Sequence, residues 1–104
     1  GKTETVQRWM STTELEATNK TGLLRGGKKG THYVTDYANK NALRARQRLS
    51  LPQTPEVRVK MEVSSGKFTS PTKVEPHFNM PGGGLERTAI GDIQVKIIQV
   101  HGSQ

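Results

Sequence analysis

The sequence predicts an α+β domain, on three observations. Two segments carry helix start and stop signals, the other apolar residues fall into short strand-like runs, and Glu56–Val63 alternates charged and apolar residues without a break. Strict alternation buries one face of a sheet and wets the other, as antiparallel sheets commonly do. At 104 residues the chain has the length of a single domain, so residues 1–104 are expected to share one core.

The first strand is expected over Thr5–Met10. Ser11-Thr12-Thr13-Glu14 follows at once in the form of a capping box, Ser11 capping the Glu14 amide and the Glu14 carboxylate reaching back to the cap. The helix it opens is expected to run to about Asn19, with Gly22 beyond its end. Leu23–Gly30 is a glycine-rich basic loop whose backbone can approach a phosphate, with Lys28 and Lys29 as candidate anion contacts.

Thr31–Thr35 is rich in β-formers and predicts a second strand. Asp36 or Asn39 is expected to cap a second helix running to about Leu49, stopped by Pro52. Its apolar side is Ala42, Leu43, Ala45 and Leu49, while Lys40, Arg44 and Arg48 recur every fourth residue and stack three cations on one face. After the alternating strand, residues 64–81 are expected as loop, punctuated by Pro71, Pro76 and Pro81 and anchored by Phe68, Val74 and Phe78. Gly82-Gly83-Gly84 leads into a strand over Leu85–Ile90, and a Gly91-Asp92 turn hands over to a closing strand from Ile93 to Val100.

Composition narrows the function. Sixteen Lys and Arg against nine Asp and Glu leave a net charge of +7, which suits an acidic partner: nucleic acid, a nucleotide or an acidic protein. Only 31% of residues are hydrophobic, so the core is thin and a bound ligand or partner would add to its stability. The absence of cysteine excludes disulfides and thiol chemistry, and three histidines without metal-ligand spacing give no reason to expect zinc. No apolar run can span a bilayer and no secretory signal opens the chain, whose polar start suits a domain cut from a longer protein. Trp9, Tyr33, Tyr37, Phe68 and Phe78 are scattered and do not form the stacking platform of a single-strand binder.

Glu86 stands directly after the glycines that open its strand. Taken alone it is a strand-end carboxylate beside Arg87; with Gly82-Gly83-Gly84 leaving room for a ligand against the backbone, it becomes a candidate for chemistry. The stretch Gly30-Thr31-His32-Tyr33-Val34-Thr35-Asp36, followed by a helix with Asn39, Lys40 and Ala42, resembles the second motif of ADP-ribosyltransferases of the diphtheria-toxin and poly(ADP-ribose) polymerase group. Arg8 before it and Glu86 after it stand in that family's order of a basic residue, a Tyr or Ser/Thr, and a late Glu. Over nearly the whole chain, from Arg8-Trp9-Met10-Ser11 to Gly82-Gly83-Gly84-Leu85-Glu86-Arg87-Thr88, it is similar to the TreTu-like toxin domains at the C-termini of bacterial Rhs-type polymorphic proteins.

The resemblance implies an ADP-ribosyltransferase-like fold, two packed, mostly antiparallel sheets with two short helices, and NAD⁺ as a substrate without a metal. By its implication Arg8, Tyr33 and Glu86 are catalytic: Arg8 holds the diphosphate or the nicotinamide-side ribose, Tyr33 stacks on nicotinamide, and Glu86 stabilises the oxocarbenium-like transition state. Trp9, Thr31, Thr35, Gly83 and Gly84 complete the dinucleotide contacts, Thr35 supporting Glu86 or the ribose. It also implies a secreted effector domain, delivered by type VI secretion into the cytoplasm of a competing bacterium and neutralised by an acidic immunity protein, with a monomeric catalytic domain that engages no membrane.

The chain departs from the family in pairing Arg8 with Tyr33, which belong to different branches, in Thr35 where Ser is usual, and in Gly84 where arginine-modifying transferases carry a second acid. The missing acid argues against a guanidinium acceptor. The cations Lys28, Lys29, Lys40, Arg44 and Arg48 favour an RNA 2′-hydroxyl. The alternatives are a protein acceptor, a non-catalytic RNA-binding module, and a ribonuclease using His32 or His77 with a lysine; alternation turns His32 away from Tyr33.

Overall fold

In chain order the elements are β1 (Thr3–Met10), α1 (Thr12–Thr21), β2 (Thr31–Val34), α2 (Ala42–Arg48), β3 (Val57–Ser64), β4 (Thr72–Lys73), β5 (Leu85–Ile90) and β6 (Lys96–Gly102). Residues 1–25, 30–35 and 41–102 of this computed structural model are described. The strands form two three-stranded antiparallel sheets, ordered β1-β3-β6 and β2-β5-β4. The architecture is the α+β arrangement of two antiparallel sheets and two helices.

The alternating segment is the centre of the first sheet. Val57, Val59, Met61 and Val63 of β3 are all buried, and Met10, Arg8, Val6 and Glu4 of β1 lie opposite them in register. Antiparallel partners share a face, so Glu4 and Arg8 point inward with Val6 and Met10. Leu24, Val34, Phe68, Ala89 and Ile93 join that cluster from the second sheet and the connecting loops. Burying each large aliphatic side chain contributes about 1.5–3 kcal/mol. On the other face of β1, Trp9 packs with Ala42 and Ala45 of α2 and with Leu49 and Leu51, which seats the helix.

Three sets of bonds tie the sheets together. Gln7 and Thr35 exchange backbone hydrogen bonds of 3.0 and 2.8 Å. Arg8 Nη1 donates to the Tyr33 carbonyl at 2.9 Å. Arg87 of β5 grips both oxygens of Glu4, at 2.6 and 3.1 Å, and its Nε donates to the Thr69 carbonyl at 2.7 Å. That grip holds the Glu4 carboxyl below the usual carboxylate range, hydrogen bonding to Arg87 outweighing the cost of burial.

Several local expectations are corrected. Ser11 does cap the Glu14 amide at 3.1 Å, but the Glu14 carboxylate turns to Arg8 at 2.9 Å and not back to the cap. α1 extends to Thr21, with Gly22 left-handed at φ 71°. The second helix is capped by Asn41, whose side chain accepts from the Arg44 amide, and not by Asp36 or Asn39, which lie outside the described residues. A short strand, β4, stands inside the expected loop because it borders β5. The closing strand starts at Lys96, since Ile93 is spent on the core and Gln94 bridges Leu23. Phe68 and Val74 are buried anchors, whereas Phe78 is 49% exposed.

Replacing Arg87 by Met strands the Glu4 carboxylate between the sheets and is expected to cost about 2–4 kcal/mol in urea unfolding, with Glu4→Gln in the same chain recovering part of it. Because the folded Glu4 pKa is depressed, its contribution is fully present above the unfolded value and disappears as pH falls through the folded one. Glu4→Gln should therefore lose that part of the acid sensitivity, read as the pH dependence of the unfolding midpoint.

Candidate functional site

Register, not sequence proximity, assembles the site. Tyr33 of β2 lies opposite Thr88 of β5, and Glu86 stands two residues before Thr88. Glu86 is thus a diagonal neighbour of Tyr33 on the same face, within reach of an aromatic side chain. Arg8 arrives from the end of β1. All three, with Trp9 and Thr35, line one cleft of about 840 Å³. Its walls are the start of α1 (Ser11 and Glu14), the segment 49–55 after α2, and the segment 74–78 between β4 and β5.

Glu86 is half-buried, and burial alone pushes its carboxyl above the usual range. Among the described residues no cation lies within salt-bridge distance of it. The adjacent Arg87 points to the opposite face and is committed to Glu4. The carboxylate at the cleft is therefore uncompensated, a state that destabilises the protein unless a ligand supplies positive charge or hydrogen-bond donors.

Arg8 is held in place rather than left free. Nη1 donates to the Tyr33 carbonyl and Nη2 to Glu14 Oε2, both at 2.9 Å, and the side chain is 11% exposed. Its Nε, like Nε1 of Trp9, is buried without a hydrogen-bond partner. The Thr35 hydroxyl donates to the Leu85 carbonyl at 2.8 Å, which pins the end of β2 beside Glu86.

Other expected contacts lie elsewhere. Thr31 pairs with Ile90 at the far end of β2 and does not line the cleft. His32 is buried opposite Ala89, outside the cleft, and burial together with Arg8 and Arg25 lowers its pKa. Two of the three glycines are tightly packed, whereas the space beside Gly83 is open. The packed two close on the end of α2, Gly82 N–H donating to the Gln47 carbonyl and Gly84 N–H to the Arg48 carbonyl, both at 2.9 Å. A Cβ on Gly84 would meet the Arg48 carbonyl at 3.0 Å, and neither Gly83 nor Gly84 lines the cleft. Arg48 donates to the Gly83 carbonyl at 3.0 Å and so leaves the expected cationic stripe. Lys28, Lys29 and Lys40 lie outside the described residues, and Arg44 is exposed on α2.

Sequence reasoning missed Glu14, Ser50 and Phe78 as cleft residues; His77, named only for a ribonuclease alternative, lines the cleft as well. Glu14 carried a signal, its helix-start position, but that signal pointed to capping. Nothing in the sequence brings the turn at His77 and Phe78 to the cleft. Among the described residues no helix is long and apolar enough to cross a membrane. Nor do three His, Asp or Glu side chains gather there in a way that could hold a metal ion.

Comparison with known proteins places this geometry. The family described as the TreTu toxin, C-terminal domain, matches residues 3–83, ending just before Glu86. No curated protein matches the chain. The solved structure of Tne2 in complex with Tni2 is similar in fold, with a TM-score of 0.73, 18% identity, and coverage of 98% of this chain and 91% of that one.

Two outcomes are expected from this geometry. Gly82 sits at φ 70° with the Val74 carbonyl 2.5 Å from where a Cβ would stand, so Gly82→Ala should cost at least about 2 kcal/mol by chemical denaturation. Glu86→Gln should do the reverse. A raised folded pKa means stability is greatest below the unfolded pKa and is lost as pH rises through the folded one. At neutral pH the neutral amide should therefore raise the melting temperature by about a degree or more and flatten its pH dependence.

Proposed function

The chain belongs to the family of TreTu toxin C-terminal domains, and we propose that it is an NAD⁺-dependent ADP-ribosyltransferase toxin on an ADP-ribosyltransferase-like fold. The observation that carries this reading is the uncompensated, half-buried Glu86, set beside Tyr33 and a tethered Arg8 in one cleft. A cleft of about 840 Å³ is within the usual range for ligands the size of a dinucleotide.

In the proposed reaction the bond between nicotinamide and ribose breaks, and its electron pair leaves with nicotinamide. Positive charge develops on the ribose, where the Glu86 carboxylate stabilises it and accepts a hydrogen bond from a ribose hydroxyl. The nicotinamide ring is itself cationic before cleavage, so binding compensates the carboxylate that burial had left exposed to cost. Tyr33 stacks on that ring. Arg8, held by Tyr33 and Glu14, offers its remaining donors to the diphosphate. The acceptor then attacks the ribose carbon and loses its proton.

For the acceptor we favour a hydroxyl of structured RNA, on the net charge of +7 and the exposed Arg44, with Lys28, Lys29 and Lys40 as the other cations. A protein acceptor is the second reading. The domain would act in the cytoplasm of a competing cell and be neutralised by a cognate immunity protein, acidic to match the chain's net charge of +7.

Nicotinamide release from NAD⁺ in cell extract tests the proposal. Glu86→Ala is expected to lower the rate at least about 100-fold, and equal release by both proteins would end it. The fate of labelled ADP-ribose identifies the acceptor: RNase-sensitive label supports RNA, protease-sensitive label a protein, and free ADP-ribose water. Since the ionised carboxylate does the work, kcat/KM should rise with pH through an ionisation above the ordinary glutamate value of about 4.3. That limb should be missing from whatever activity Glu86→Gln retains.

A further inference from the structure

The segment between β4 and β5 ends in a tight turn that no structural requirement explains. His77 and Met80 exchange backbone hydrogen bonds of 3.1 and 2.8 Å, and the two residues between them, Phe78 and Asn79, have φ of 52° and 61°. Turns of this kind favour Asn-Gly, because positive φ is strained for a residue with a bulky side chain. Asn79 conforms and Phe78 does not. Nor does burial compensate: Phe78 belongs to neither core cluster and is 49% exposed, yet it lines the cleft.

Its support is rigid. The Ser50 hydroxyl donates to the Glu75 carbonyl at 2.7 Å, and the glycines at the base of the turn are bonded to the end of α2. The His77 ring packs against the Phe78 ring at 4.0 Å between centroids, tilted by 54°, which limits the rotamers open to Phe78. A preset aromatic surface at the edge of a ligand cleft loses little entropy when a second ring stacks on it.

Resting on the reading of the cleft as a dinucleotide site, we propose that Phe78 is the platform on which the adenine ring stacks. The hairpin decides which ring. Thr72 pairs with Glu86, whereas Phe78 follows Thr72 by six positions, at the tip. Tyr33, Glu86's diagonal neighbour, stands at the bond that Glu86 attends and serves the near ring, which leaves the aromatic tip of the hairpin, on the same cleft, for the remote one.

Calorimetric titration of the Glu86→Gln protein, in which turnover is slowed, with NAD⁺, AMP and nicotinamide mononucleotide tests this. Phe78→Gly keeps a residue that favours positive φ, so the turn and the fold survive. It is expected to weaken NAD⁺ and AMP binding by about 10-fold or more and to leave nicotinamide mononucleotide unchanged, while Phe78→Trp retains all three affinities. NAD⁺ binding that is indifferent to Phe78→Gly, or a loss confined to nicotinamide mononucleotide, overturns the assignment while leaving the functional reading intact. No NAD⁺ binding with Phe78 in place overturns both.

Discussion

Glu4, Val6, Arg8 and Met10 share the inner face of β1, and most of the structure depends on what the two charged members do there. Val6 and Met10 supply ordinary apolar packing. Glu4 and Arg8 cannot be buried at that face without partners, and each finds one on the second sheet: Arg87 for Glu4, the Tyr33 carbonyl for Arg8. Charges that would be a defect in a plain sandwich thereby join its two layers. With 31% hydrophobic residues and a thin core, directional bonds of this kind do part of what a larger apolar interior would do alone.

The same constraint sorts the acidic side chains. Arg87 is drawn inward by Glu4, and alternation along β5 then sends its neighbour Glu86 to the other face. Glu14, aligned to cap its own helix, is drawn away by Arg8. Once Arg87 and Arg8 are committed elsewhere, Glu86 is left half-buried at the cleft, with no cation among the described residues within salt-bridge distance. The difference between Glu4, whose pKa is depressed, and Glu86, whose pKa is raised, follows from this partition and not from any difference in residue type.

Elements that declare themselves locally were legible in the sequence. The alternation of β3, the Ser11 cap and the Gly22 stop each rest on nearest-neighbour chemistry, and the structure keeps all three. What depends on a distant partner was not legible. β4 exists because β5 runs beside it, and Asn41 rather than Asp36 or Asn39 takes the cap of α2. Gly82-Gly83-Gly84 shows the difficulty well: close approach of a backbone was inferred, and the backbones that approach are the Val74–Glu75 segment at Gly82 and the end of α2 at Gly84. At the site, Arg8, Tyr33 and Glu86 are placed in one cleft from three separate strands, whereas Thr31, Gly83, Gly84 and Arg48 are elsewhere. A one-dimensional motif order preserves which strands carry polar groups; it says nothing of which loops close around them.

Several features that break local rules lie at that cleft. Glu86 is desolvated without a cation, Arg8 Nε and Trp9 Nε1 are buried without acceptors, and Phe78 holds a strained backbone while half in solvent. Each alone lowers stability, and a thin core is a poor place to accumulate such costs. Under the proposed function two of them are complementary to the ligand: a carboxylate without a cation suits a cationic ring, and an exposed aromatic ring suits a second planar base. Departures from local consistency concentrate where function overrides folding, and the cross-sheet bonds of Glu4 and Arg8 keep the surrounding scaffold folded while they persist.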